Sequence, residues 1–213
     1  MKTMIAIPCM DMVHTQFCVS LTGLRLDGMT KFAYSASSLV YDSRNGLARK
    51  AIVEGFERVL WLDSDMTFEP EFYRELSKDL DEGRDMVCGL YITRKEPHKP
   101  VIFDKCGYER TERENEVRPT AHTYYEYPKN SIFEVEACGF GGVLMNTKVL
   151  KDVEAKYGVP FAPMLGFGED ISFCLRAKEL GYKIWCDSRQ KMGHVGLTTF
   201  TEEMLHGKHD TDI

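Results

Sequence analysis

Two carboxylates stand close together in Leu60-Trp61-Leu62-Asp63-Ser64-Asp65-Met66, directly after an apolar run. Residues 59–62 read as a buried strand of a parallel sheet. Asp63 and Asp65 then fall at its C-terminal end, where both can face the crevice in which open α/β sheets bind ligands. Two Asp at this spacing repel each other unless a cation or a hydrogen-bonded ligand lies between them. Mg²⁺ or Mn²⁺ carrying phosphates would satisfy the pair, since such an ion takes a carboxylate or two and completes its shell with phosphate oxygens and water. The plainer alternative has Asp63 capping a turn and Asp65 facing solvent.

A second acidic pair, Glu169-Asp170, follows Gly166-Phe167-Gly168 and opens a helix. Its apolar positions Ile171, Phe173, Cys174, Leu175, Ala177 and Leu180 face inward, and Gly181 ends it. The helix dipole there lowers carboxylate pKa values, and the backbone fixes their direction. A general base needs a fixed carboxylate beside a crevice; the alternative is a pair that only caps the helix. His194 lies in Met192-Gly193-His194-Val195-Gly196, after a short last strand at 184–186. From there it could reach a metal held by Asp65, since mixed imidazole–carboxylate sites occur although oxygen suits Mn²⁺ better. The alternative is a surface or satisfied core histidine. His206 and His209 belong to a polar tail and read as exposed.

These side chains need elements to hold them. Ser43 is a candidate N-cap for a helix to about residue 56, with Leu47, Ala48, Ala51, Ile52 and Phe56 at helical spacing. Arg44 and Asn45 fall in its first turn, where the free N–H groups favour an anion and a cation opposes the dipole unless an anion is bound. Arg44, Asn45 and Arg49 therefore read either as contacts to a pyrophosphate or an acceptor, or as a solvated face. Gly139, Gly141 and Gly142 crowd ahead of an apolar run, marking a close backbone approach to a ligand or a tight bend.

The remaining pattern alternates strands and helices. Strands are expected at 3–8 (closed by Pro8), 31–37, 85–91 and Ile132–Val135, and helices at 15–24, 70–80 and Thr147–Tyr157. Thr93-Arg94-Lys95 is a basic loop, residues 109–118 read as an exposed hairpin or loop, and Tyr124, Tyr125 and Tyr127 read as packing residues rather than a sugar platform. No Gly-x-Gly-x-x-Gly follows the first strand, which argues against a dinucleotide enzyme.

With 213 residues, 43% apolar and 28% charged, the chain reads as a globular domain over residues 1–200 with a polar tail at 201–213. A net charge of −6 argues against broad binding to duplex nucleic acid or anionic membrane. The seven cysteines show no Cys-x-x-Cys spacing and read as reduced thiols in a cytoplasmic protein. No signal peptide is expected, and no apolar run reaches bilayer length.

In order and spacing these stretches resemble the glycosyltransferases of the GT-A fold, especially the family-2-like group. The resemblance spans roughly residues 3–196. It rests on the first strand, Ser43-Arg44-Asn45, residues 60–65, the 139–145 segment, Gly168-Glu169-Asp170 with Phe173 and Arg176, and His194. It implies an α/β, GT-A single domain with a mostly parallel central sheet flanked by helices. It also implies a nucleotide-diphosphate sugar donor, a UDP-sugar favoured, and Mn²⁺ or Mg²⁺ held by Asp65 and His194. Pro8, Arg44, Asn45, Asp63, Asp65, Gly141 and Gly142 become donor contacts. Asp170 becomes the base of an inverting transfer with Glu169 on the acceptor, or the reverse. The acceptor stays open, and a homo-oligomer or partner subunit is compatible.

Two other classes use similar residues. A nucleotidyltransferase pairs carboxylates with a metal, but needs a Gly-rich phosphate loop with a basic residue that residues 7–11 do not supply. A non-catalytic nucleotide-sugar-binding subunit would not need both carboxylate pairs and His194.

Overall fold

The computed structural model describes residues 1–10, 12–110, 116–196 and 198–207. The chain runs β1 (Lys2–Cys9), α1 (Thr15–Gly23), β2 (Met29–Ala36), α2 (Val40–Val53), β3 (Arg58–Leu62), β4 (Met66–Thr67), α3 (Phe72–Asp81) and β5 (Met86–Leu90). It continues through β6 (Ile102–Arg110), β7 (Val117–Thr123), β8 (Ile132–Val135), β9 (Ala137–Cys138), β10 (Gly142–Asn146), α4 (Thr147–Tyr157) and α5 (Glu169–Glu179). It ends with β11 (Ile184–Lys191), β12 (Gly193–Val195), β13 (Thr199–Phe200) and a 3₁₀ turn at Glu202–Gly207.

Seven strands form the central sheet in the order β2-β1-β3-β10-β5-β11-β8. β2, β1 and β3 are mutually parallel, as are β5 and β11, while β10 and β8 run antiparallel to their neighbours. The sheet is thus mostly parallel, and its fully buried strands are the apolar runs expected of sheets covered on both faces. Alternation along β3 assigns the faces. Val59 and Trp61 pack with Leu47, Leu150 and Phe173 from α2, α4 and α5. Leu60 and Leu62 pack with Phe17, Phe72 and Leu76 from α1 and α3.

The order reverses beside β1, whose partners are β2 on one side and β3 on the other. A crevice outside the carboxyl ends of the strands belongs at such a switch point. The carboxyl ends of β1 and β3 lie on one edge of the sheet because the strands are parallel. Two three-stranded sheets, β13-β12-β4 and β7-β6-β9, extend from the core. The first brings His194 beside the Asp63–Asp65 turn, since His194 pairs with Met66.

Several local expectations need correction. Helix α2 begins at Val40, so Ser43 is not its N-cap; Ser43 and Arg44 are buried on its inner face. β1 passes through Pro8, which lies beyond the β3 pairing that ends at Ala6, so its missing N–H breaks no ladder there. β11 extends five residues past the expected short strand, through Asp187 to Lys191. Residues 109–118 are the ends of the β6–β7 hairpin, with 111–115 outside the described residues. Tyr127 is buried and donates to Glu202, which also pairs with Lys129 and Lys191, so the 3₁₀ turn starts docked against the core. His206 has no described side chain, and His209 lies outside the described residues.

Candidate active site

The edge at the switch point opens into a crevice of about 350 Å³, lined among others by Pro8, Arg44, Asp63, Asp65, Glu169 and Asp170. The backbone of the Asp63–Asp65 turn is held from both sides. Asp63 N–H donates to Gly141 O (3.1 Å), and Asp65 O accepts from Val195 N–H (2.7 Å).

Arg44 joins the two acidic pairs. Its Nη2 donates to Asp63 Oδ1 at 2.8 Å and its Nε to Glu169 Oε1 at 3.1 Å. The guanidinium is buried and lies over the Phe140 ring at 5.3 Å, with Trp61 and Phe161 close by. A buried guanidinium needs anionic partners, and the aromatic faces add cation–π attraction on the core side.

Burial pushes the Asp63 carboxyl up to about 6 against the pull of Arg44, with Asp65 adding to the rise. Asp65 goes the other way. Burial raises it, but His194 and then Arg94 outweigh burial and hold it below the usual carboxylate range. Burial also raises Asp170, the Glu169 charge adds to it, and the Ile171 N–H at 2.7 Å only partly offsets them. This corrects the expectation that the helix terminus lowers that carboxyl: the backbone N–H groups there and the Arg44 charge do not outweigh desolvation beside a second carboxylate.

His194 Nε2 lies 3.5 Å from Asp65 Oδ2, while its Nδ1 is 2.9 Å from the Ile92 carbonyl. The carbonyl can only accept, so Nδ1 carries the proton, and Nε2 is the ring atom turned to Asp65. Tyr91 packs edge-on against the ring at 5.4 Å. An imidazole oriented by a backbone carbonyl with its second nitrogen beside a carboxylate suits a divalent cation. No cluster of three or more His, Cys, Asp or Glu side chains suited to a metal occurs among the described residues. Asp65 and His194 would therefore leave the remaining positions of such an ion to phosphate and water, as Mg²⁺ prefers.

Other sequence candidates sit elsewhere. Asn45 exchanges two hydrogen bonds of 2.8 Å with the backbone of Phe161, which uses its amide to clamp the loop before α5. Arg49 is on the exposed side of α2. Gly141 and Gly142 are buried and clear space for packing: a Cβ on Gly141 would lie 3.0 Å from the Tyr91 ring, and one on Gly142 would overlap Met192 and Phe72. Close approach is why glycine is there, but the approaching groups are protein side chains. Gly141 serves the site indirectly, through its carbonyl on Asp63 N–H.

Arg94 was missed. Its Nη1 lies 3.0 Å from Asp65 Oδ2 and donates to Val195 O at 3.0 Å. The available signal was topological. The basic loop follows β5, a strand parallel to β3 by way of antiparallel β10, so its start lies on the same sheet edge as Asp65.

No protein-family model and no curated protein sequence matches the chain. Solved structures do resemble it. A197 from STIV superposes with a TM-score of 0.68 at 17% identity, covering 100% of this chain and 98% of that one. TarS 1-349 of S. aureus, a GT-A-like glycosyltransferase, superposes with a TM-score of 0.53 at 18% identity, covering 88% of this chain and 58% of that one. At these identities the likeness is one of fold. The chain has a mixed α/β fold, a seven-stranded central sheet flanked by helices, similar to a glycosyltransferase structure. No helix among the described residues is long and apolar enough to cross a membrane.

Proposed function

We propose that the protein is a metal-dependent glycosyltransferase that moves a sugar from a nucleotide-diphosphate sugar to a hydroxyl acceptor with inversion. The observation that carries this reading is the convergence on one crevice of Asp63, Asp65, Glu169 and Asp170, with Arg44 bridging Asp63 and Glu169 and His194 placed 3.5 Å from Asp65 Oδ2.

Asp65 and His194 are the residues to hold a divalent cation, which supplies positive charge where the leaving diphosphate becomes more negative. Asp63 faces the donor from the same turn, oriented by Arg44. Glu169 is committed to Arg44 through Oε1, whereas Asp170 receives one backbone N–H and has a raised pKa. A carboxylate of raised pKa is the better proton acceptor, so Asp170 takes the acceptor hydroxyl's proton and Glu169 orients the acceptor. Pro8 at the end of β1 forms the crevice wall beside the donor.

The test is thermal unfolding of wild type and Asp65→Ala with UDP, GDP, CDP and dTDP, each with and without Mn²⁺. A ligand at about 100 times its Kd stabilises by about 2.7 kcal/mol. A manganese-dependent shift with one nucleotide, UDP expected, that is lost in Asp65→Ala supports the reading. No shift with any nucleotide would overturn it.

A further inference from the structure

We propose that Arg94 is an internal counter-cation for Asp65, which gives that carboxylate up to a divalent ion and moves to the diphosphate when the two ligands bind together. This rests on the metal–diphosphate reading of the crevice. Arg94 and His194 converge on one oxygen, Asp65 Oδ2, at 3.0 and 3.5 Å. A guanidinium held there and a divalent cation bound by the same oxygen would repel strongly. A cation held by Oδ2, the oxygen paired with His194 Nε2, therefore displaces the guanidinium.

The loop is built for such an exchange. Thr93 N–H donates to Lys99 O at 2.8 Å, Lys99 N–H donates to Thr93 Oγ1 at 3.0 Å, and Ile92 bridges Pro100, so the backbone is held closed. The Arg94 side chain projects from it with 45% of its surface exposed. Gly196 leaves room for the stem, since a Cβ there would lie 3.1 Å from Arg94 Cδ. Arg94 Nη1 divides its contacts between Asp65 and the Val195 carbonyl. A diphosphate offers instead the paired oxygens that match the planar fork of arginine.

An exchange of this kind leaves a crossed signature. Arg94 opposes the cation when it binds alone and assists the nucleotide once the cation is present, and the two affinities are thermodynamically linked. The experiment titrates Mn²⁺ alone, followed by its electron paramagnetic resonance signal. Calorimetry then follows whichever of UDP, GDP, CDP and dTDP binds the wild type at saturating Mn²⁺. The proteins are wild type, Arg94→Gln, Arg94→Lys and Asp65→Asn. Mn²⁺ alone should bind Arg94→Gln about three- to fivefold more tightly than wild type, the scale of a partly exposed ion pair. The nucleotide should bind it about tenfold more weakly, the scale of a lost charge-assisted contact, with Arg94→Lys between the two. If Mn²⁺ binding is unchanged and only the nucleotide weakens, Arg94 is a plain phosphate contact and the exchange is wrong. If both weaken, Arg94 only supports the turn, and the proposal is again wrong. If wild type and Asp65→Asn bind Mn²⁺ equally or not at all, the metal reading of the crevice falls and takes this inference with it.

Discussion

Arg44 on α2 donates from Nε to Glu169 Oε1 on α5 across 3.1 Å. The bond engages Glu169, while burial and then the Glu169 charge raise the Asp170 carboxyl, and the proposed mechanism gives the two adjacent carboxyls different roles on that ground. Asp170→Asn should therefore keep manganese-dependent nucleotide binding and lose sugar transfer by about a hundredfold or more, the scale of general base catalysis. Glu169→Gln should raise the acceptor KM more than it lowers kcat. Steady-state kinetics with a monosaccharide-acceptor panel would read both. Normal transfer by Asp170→Asn would show that the base lies elsewhere.

Removing the guanidinium gives a different loss. In Arg44→Met the Asp63 and Glu169 side chains, 30% and 13% exposed, remain facing each other without their shared partner. Breaking a buried pair by removing one partner costs about 3–5 kcal/mol, and the partial exposure of Asp63 puts the expectation near 3 kcal/mol. Urea unfolding at pH 7 would measure it. Arg44→Lys should recover only part, because one ammonium does not reach both carboxylates with the geometry of the fork.

The sequence carried most of the sheet and helices. Apolar runs such as residues 59–62 and helical spacing such as that of α4 are set by burial on known faces, and burial is written in residue type. The two carboxylate pairs and His194 stood out in the sequence by their order and spacing at strand and helix ends, although each alone reads equally as a cap or a surface residue. What the sequence did not show is who stands opposite whom. Asn45 reads the same whether its amide faces a phosphate or the Phe161 backbone. Gly142 reads the same whether a ligand or Met192 fills the space it leaves. Arg94 gave no local signal because its partner is 29 residues away and the contact exists only through the strand order. The start of α2 was misplaced because Ser43 is a good cap by type, while Val40 to Asp42 already continue the helix.

The glycine reassignment predicts a stability phenotype without a binding one. In Gly142→Ala the new methyl meets the Phe72 ring, with its nearest atom 2.9 Å away, and the Met192 thioether. Overpacking of this kind costs about 1–3 kcal/mol. Nucleotide affinity measured well below the melting temperature should be unchanged. A variant of wild-type stability with weakened nucleotide binding would favour the donor contact over the packing role.

A pH-dependent term in stability lies away from the crevice, where Asp79 on α3 meets Asp187 on β11. Asp79 is buried, and its Oδ1 accepts from Arg189 Nη2 at 3.0 Å, while Arg189 also binds Asp187. Asp79 Oδ2 has no hydrogen-bond donor. Burial, then the Asp187 charge, raise the Asp79 carboxyl to about 6, with Arg189 opposing. An acid whose folded pKa exceeds its unfolded value near 4 binds its proton more tightly in the folded state. The resulting stabilisation is complete below about pH 4 and is lost as pH rises through about 6. Asp79→Asn keeps an acceptor for Arg189 and supplies a neutral donor toward Asp187, so it should flatten this part of the stability–pH curve. Urea unfolding of both proteins from pH 4 to 7.5 would show it as a difference that grows with pH in favour of the variant. Parallel curves would mean that Asp79 is already ionised throughout, with Arg189 outweighing burial.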